Sequence, residues 1–254
     1  MSLEIILIAF LVAILTEGAR VGLRRVAIPR RAGPEGLDTP EVAEAYDRIS
    51  SWPQFRLLRS MVVRKLACLK PAGTLADIGC GPGRLAFLIA RRFPGLHVIG
   101  VDTAGEMIQI ARSSASAQGC SSRVQFRLGD VSNLPMPDRS LDLAVSMLSL
   151  HHWSDPMRGL TEIHRVLRPG GQLLLFDLRR DVRRLVYWLL TFAQHVVVPG
   201  ALRRAQEPLG SVQSSYSLRE LDDLLRRSPF QRYTVEGGPG WAFVLAAKDP
   251  SARA

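Results

Sequence analysis

The residues of this 254-residue chain best suited to chemistry are three carboxylates and a run of glycines. Asp77, Gly79, Gly81 and Gly83 form the pattern D-x-G-x-G-x-G at the end of an apolar stretch that begins at Leu75. Glycine lets the backbone turn sharply and approach a ligand with no Cβ in the way. A helix read from Arg84 to Arg92 would then face that ligand with its N-terminal amides. Asp102 follows Gly83 by about twenty residues, the offset at which a carboxylate at the end of a second strand accepts hydrogen bonds from ribose hydroxyls. A third acidic residue, Asp130, follows a further apolar run in the pair Gly129-Asp130. The set reads as a binding turn for a nucleoside-containing cofactor; a glycine-rich turn alone serves two families of such cofactors.

These groups need a scaffold that gathers strand ends. Strand and helix signals alternate, with strands near 74–79, 97–101, 123–128, 141–146 and 172–177 and helices near 84–92, 105–117 and 156–167. Such alternation predicts an α/β fold, a Rossmann-like, mostly parallel sheet with helices on both faces and a ligand crevice at the carboxyl ends of its first strands. Two short strands near 231–236 and 241–247 flank Gly237-Gly238-Pro239-Gly240 and make the sheet seven-stranded through an antiparallel C-terminal hairpin. Thr39-Pro40-Glu41 marks a helix start, with Val42, Ala45, Tyr46 and Ile49 on one face. Ser217-Leu218-Arg219-Glu220 is a capping box opening another helix. After the second strand, Ala104-Gly105 offers no good N-cap, which leaves Thr103 as the expected one.

Five signals occur in order: D-x-G-x-G-x-G at 77–83, the acidic strand end at Asp102, Gly129-Asp130, the stretch Leu134 to Asp142, and Arg165-Val166-Leu167-Arg168-Pro169-Gly170-Gly171. Together they resemble the class I S-adenosylmethionine-dependent methyltransferases, and within them the ubiquinone and menaquinone biosynthesis branch, most strongly over residues 40–178. The resemblance implies S-adenosylmethionine as cofactor, with Asp77 on the methionine amino group, Asp102 on the ribose diol and Asp130 on the adenine amino group. It places Met107 and Val131 against the adenine ring and Ser146 and Met147 at the methionine end. It also implies that the helix carrying Tyr46-Asp47 closes over the cofactor, where an aromatic face would meet a sulfonium. His151 and His152, after the fourth strand, would face the acceptor mouth, where either could take a proton from a phenol or enol; the alternative is packing and helix entry. The reaction requires no metal, and none is expected at His151, His152 and Asp155.

Rival readings have their own residues. Gly81-Pro82-Gly83-Arg84-Leu85-Ala86 satisfies the G-x-G-x-x-A of NAD sites, yet a dehydrogenase needs neither Asp77-x-Gly79 upstream nor Gly129-Asp130 downstream. Methylases of base amino groups carry an Asn/Asp-Pro-Pro-aromatic tetrad where this chain has Ser146-Met147-Leu148-Ser149, which argues against a nucleic-acid acceptor.

Lysine and arginine exceed the acids by ten, which suggests an anionic partner. Leu3 to Leu15 is apolar apart from Glu4 and is followed by Arg20, Arg24, Arg25, Arg30 and Arg31. Residues 1–31 therefore read as a hydrophobic, membrane-associating helix, interfacial or tilted, whose basic flank would keep the catalytic domain, residues 32–254, facing the cytoplasm. Within that domain residues 178–216 form an insertion, basic at Arg179 to Arg184 and apolar from Leu185 to Val198, expected to meet the acceptor or the membrane. Cysteines 68, 80 and 120 are odd in number without C-x-x-C spacing, so neither a disulfide framework nor a zinc site is indicated. The expected reaction is methyl transfer to a small or lipophilic acceptor at O, C or S. The alternatives are a non-catalytic S-adenosylmethionine-binding membrane protein and an RNA methyltransferase that uses the basic charge for phosphates.

Overall fold

The structure is a computed structural model that describes residues 28–31, 39–196, 198–204 and 208–251. The hydrophobic helix expected over residues 1–31 lies outside the described residues except for Ile28–Arg31. The sheet has seven strands: β1 (Gly73–Ile78), β2 (Leu96–Asp102), β3 (Val124–Leu128), β4 (Leu141–Met147), β5 (Leu167–Leu178), β6 (Arg232–Gly237) and β7 (Trp241–Ala247). Their order across the sheet is β3-β2-β1-β4-β5-β7-β6. The first five are parallel, and β7 pairs antiparallel with both β5 and β6. The order reverses between β1 and β4, so the strand ends carrying Asp77 and Asp102 open onto the crevice that this topology creates.

Period-2 alternation puts successive side chains of each strand on opposite faces, and both faces are covered. Ala76, Ile78, Leu173, Leu175 and Val244 pack against Leu160 and Ile163 of α5 (Pro156–Val166) and Leu221, Leu224 and Leu225 of α9 (Leu218–Arg227). Leu75, Val98, Val145, Leu174 and Phe176 pack on the other face against α2 (Pro53–Ala67), α3 (Arg84–Arg92) and α4 (Gly105–Ala117). The helix α1 (Pro40–Ser50) starts as read, with Thr39 Oγ1 accepting from the Val42 amide. The Ser217–Glu220 capping box is complete. The helix α2 had no counterpart in the sequence reading, although Pro53 at its start and Val62, Val63 and Leu66 on its buried face are its signature.

The insertion folds as α6 (Arg184–Val196), α7 (Gly200–Arg204) and α8 (Leu209–Ser214). Among the described residues, no helix is long and apolar enough to cross a membrane. Ile28–Arg31, grouped by sequence with the N-terminal segment, packs on this insertion: the Arg31 amide donates to Gln213 O at 3.1 Å and Arg30 Nε to Ser214 O at 2.9 Å. Arg180 holds the junction. Its buried guanidinium donates to Ile28 O (2.6 Å), Ser215 O (2.8 Å) and the Glu220 carboxylate. Removing a buried cation leaves all three acceptors short of a donor, so Arg180→Met should cost about 2–3 kcal/mol in urea unfolding. It should also expose the Ile28 segment to proteolysis ahead of the core.

Candidate active site

The turn after β1 is built by its glycines and closed from below by β2. The amides of Gly79 and Cys80 both donate to Val101 O, at 2.8 and 3.0 Å, and the Gly83 amide donates to Cys80 O at 3.0 Å. Gly79 has φ +71, and a Cβ there would lie 2.0 Å from Ser149 Oγ. Gly83 caps α3 in the left-handed conformation, where a Cβ would strike the Phe126 ring at 2.5 Å, so this glycine serves helix–sheet packing instead of the ligand. Gly81 faces open space, its nearest neighbour for a Cβ being Tyr46 Cε1 at 3.8 Å. It is the glycine that leaves room for a ligand.

Asp102 fastens this turn to the next. Its Oδ2 accepts from the Gly81 amide at 2.7 Å and its Oδ1 from the Ala104 amide at 2.9 Å. The expectation that Thr103 caps α4 is not met: Ala104 occupies the N-cap position without a side-chain bond, and the Asp102 carboxylate satisfies the amide there. The loop is therefore held by the strand-end acid itself.

Two cavities meet above this turn. The larger, about 330 Å³, falls in the range of small-ligand sites and is lined by Asp102, Met107, Asp130, Val131, His152 and Trp153 among others. The smaller, about 50 Å³, is lined by Asp77, Arg59, Arg84, Phe55 and Met147. Tyr46, Gly79, Gly81 and Leu148 line both and mark their junction. Leu148 holds a positive φ of +56, which for a branched residue costs on the order of 1 kcal/mol. Its amide is anchored on Phe176 O at 2.8 Å.

Asp77 is 1% exposed, and its Oδ2 has no hydrogen-bond partner among the described residues. Burial pushes its pKa up to about 7, the Asp102 charge adds to the rise, and the Ala86 amide at the start of α3 opposes it. An orphaned buried carboxyl in a narrow cavity suits an ammonium. Opposite in charge, Arg59 is almost fully buried on the same cavity, with a guanidinium bond to Ser50 O at 2.8 Å and a pKa lowered to about 10, chiefly by burial and then by Arg84. Arg84 pairs with Asp47 at 2.8 Å, clamping α1 onto α3. A carboxyl for an ammonium beside guanidiniums for a carboxylate fits the amino-acid end of S-adenosylmethionine, and the larger cavity fits its nucleoside. Neither arginine stood out in the sequence; Arg59 becomes legible only once 53–67 is read as a helix.

The remaining site residues are distributed as follows. Asp130 is exposed at the cleft rim, where its Oδ1 accepts from the Ser132 amide at 2.7 Å. Met147 lines the smaller cavity, whereas Ser146 is buried one residue inside β4. His152 lines the larger cavity with the nucleoside residues; burial, and next the neighbouring His151, lower its pKa to about 3. His151 is buried behind it, 2.6 Å from Asp177 Oδ1 through Nδ1 and bonded through its amide to Asp177 Oδ2 at 3.0 Å. Asp177 escaped the sequence reading although it ends β5 as Asp77 and Asp102 end their own strands. Among the described residues, no cluster of His, Cys, Asp and Glu is placed to hold a metal ion.

Comparison with known proteins bears on the same residues. A family profile described as a methyltransferase domain matches residues 76–175. A 2-phytyl-1,4-naphtoquinone methyltransferase of a Nostoc species is 31% identical over 219 residues, 83% of this chain and 90% of that protein. The chain belongs to the class I S-adenosylmethionine-dependent methyltransferases. Another enzyme of the same description, from Nostoc punctiforme, is 33% identical over 143 residues, 55% of this chain and 62% of its own length. Several other curated relatives are matched over only 29–62% of their length. A solved S-adenosylmethionine-dependent methyltransferase from Aquifex aeolicus shares the fold, with a TM-score of 0.59 at 19% identity, covering 82% of this chain and 98% of that one.

If Asp77 meets the ammonium of S-adenosylmethionine, its raised pKa couples binding to pH. An ammonium favours the carboxylate, so S-adenosylmethionine affinity should rise about tenfold per pH unit up to about 7 and then level. Asp77→Asn should abolish that slope in calorimetry and weaken binding. In the ligand-free protein the sign reverses. The folded chain holds the Asp77 proton through a range where the unfolded chain has lost it, so stability falls as pH rises toward 7. Asp77→Asn should therefore raise the melting temperature of the ligand-free protein at pH 8.

Proposed function

We propose that this methyltransferase acts on a lipophilic, hydroxylated ring of quinol type at a membrane surface, with its catalytic domain on the cytoplasmic side. The observation that carries the acceptor class is the likeness, over 90% of its length, to a protein described as a phytylnaphthoquinone methyltransferase. The membrane part is supported by the apolar, arginine-flanked N-terminal sequence and by the basic, apolar insertion.

When bound, S-adenosylmethionine supplies an electrophilic methyl group on a sulfonium. The chain's own residues then have three tasks. Asp77, Arg59 and Arg84 hold the amino-acid end, while Asp102 and Asp130 hold the nucleoside between Met107 and Val131. Tyr46 lies where the two cavities meet, which supports a role for its ring against the sulfonium and for α1 in shielding the junction from water. As the acceptor gains the methyl it loses one proton, which passes to solvent water. His152 stays neutral throughout the physiological range, and its role in this reading is to accept a hydrogen bond from an acceptor hydroxyl, with the His151–Asp177 pair fixing the loop behind it.

The test is methyl-donor turnover against quinols, phenols, thiols, lipids and RNA. Turnover with a prenylated or phytylated quinol is expected; binding of S-adenosylmethionine without turnover on any acceptor would favour the non-catalytic reading, and activity confined to RNA would overturn the acceptor class. His152→Ala should lower kcat/KM for a phenolic acceptor by about 10- to 100-fold, more than it weakens S-adenosylmethionine binding. Asp102→Ala should cost about 2–3 kcal/mol of S-adenosylmethionine binding, because it removes ribose hydrogen bonds and strands the Gly81 and Ala104 amides.

A further inference from the structure

We propose that the outer face of α6 is a docking surface for an anionic lipid bilayer. Trp188, Phe192 and Val196 are 62%, 46% and 60% exposed, and they are three of the five large apolar side chains exposed among the described residues. At i, i+4 and i+8 they form one ridge about 12 Å long. Trp188 and Phe192 run along it with stacked rings, 17° between planes. The opposite face of α6, Val186 with Tyr187 and Leu190, is seated on Ile28, Leu178, Val182 and Val212. The ridge is thus held outward by a packed helix.

Charge says what it meets. From Val182 to Arg204 the sequence has no Asp or Glu but has Arg183, Arg184, Arg203 and Arg204. Arg203 donates to His195 O at 3.1 Å, which sets a cation at the C-terminal end of the ridge, and Arg204 beside it is exposed. Arg30, stacked 4.2 Å over the Tyr216 ring, and Arg31 add exposed cations where the chain enters beside the insertion. Large aromatics between cations match the acyl boundary and headgroups of an anionic leaflet. A two-fold contact between copies would set the same cations against each other, which disfavours self-association. At about 20 Å, the 13-residue helix is too short to span and suited to lie flat. The surface also reaches the cleft, because Leu202 of α7 packs on Val42 and Ala45 of α1, the helix that carries Tyr46.

The proposal deepens the membrane part of the reading above and rests on it only for the purpose of docking. The test uses the full chain in flotation with phosphatidylcholine vesicles, with and without phosphatidylglycerol. Binding should require the anionic lipid, and Trp188→Ser/Phe192→Ser should weaken it about a hundredfold, the effect of leaving two large apolar side chains in water. Arg203→Gln/Arg204→Gln should reduce the preference for phosphatidylglycerol. Brominated lipid should quench wild-type tryptophan fluorescence, and Trp188→Phe should lose that quenching while still binding. Equal quenching in Trp188→Phe, or unchanged binding of the double serine variant, overturns the proposal, as does a loss of self-association in that variant with vesicle affinity intact. Turnover of a short-chain, water-soluble quinol in the same preparations separates the two readings. Its presence without docking overturns only the surface, and docking without any quinol turnover overturns only the acceptor.

Discussion

The site depends on one carboxylate that is shared between two turns. Asp102 accepts from the Gly81 amide with one oxygen and from the Ala104 amide with the other, so the loops after β1 and β2 cannot part without stranding two donors beside a charge. The same group raises the cost of ionising Asp77 and lines the larger cavity. Its first task is architectural. Both loops are thereby held in place before any ligand arrives, so a ligand that meets this turn meets it without reorganisation.

Asp77 shows the complementary principle. A buried carboxyl with an orphaned oxygen is a liability in the ligand-free fold and an asset once a cation arrives. The fold around it is anchored by other contacts: the Gly79 and Cys80 amides are paired on Val101 O, and the aliphatic side chains of the flanking strands fill both layers. Stability is given up at a buried charge that only a cation would satisfy.

The insertion joins the outer surface to this interior. Arg180 ties the Ile28 segment to the end of α8 and the start of α9, α7 braces α1, and the Asp47–Arg84 pair clamps α1 to the helix that follows the glycine turn. A change at the outer face of α6 therefore has a packed route to the helix whose Tyr46 lines both cavities.

Much of this is legible in the sequence alone. The strand ends at Asp77 and Asp102, the helices 84–92 and 105–117, the hairpin and the capping box follow from local patterns with short range: period 2, period 3.6, glycine turns and caps. The roles of individual residues were less so. Gly79, Gly81 and Gly83 look equivalent in sequence, yet Gly79 avoids Ser149, Gly81 leaves open space and Gly83 avoids Phe126, neighbours that only folding brings together. Thr103 had the right chemistry to cap α4 and lost the task to Asp102, whose carboxylate already stood over the Ala104 amide. Arg59 and Asp177 acquired their settings from burial against Ser50 and His151, and Trp188 is exposed where Trp153 is buried because the face of α6 that carries it turns away from the core. Local propensity and spacing determined the elements, the fold and the cofactor turn; burial and long-range contact, which no single segment encodes, decided which charges are orphaned, which glycine of the turn faces open space and which apolar face stays exposed.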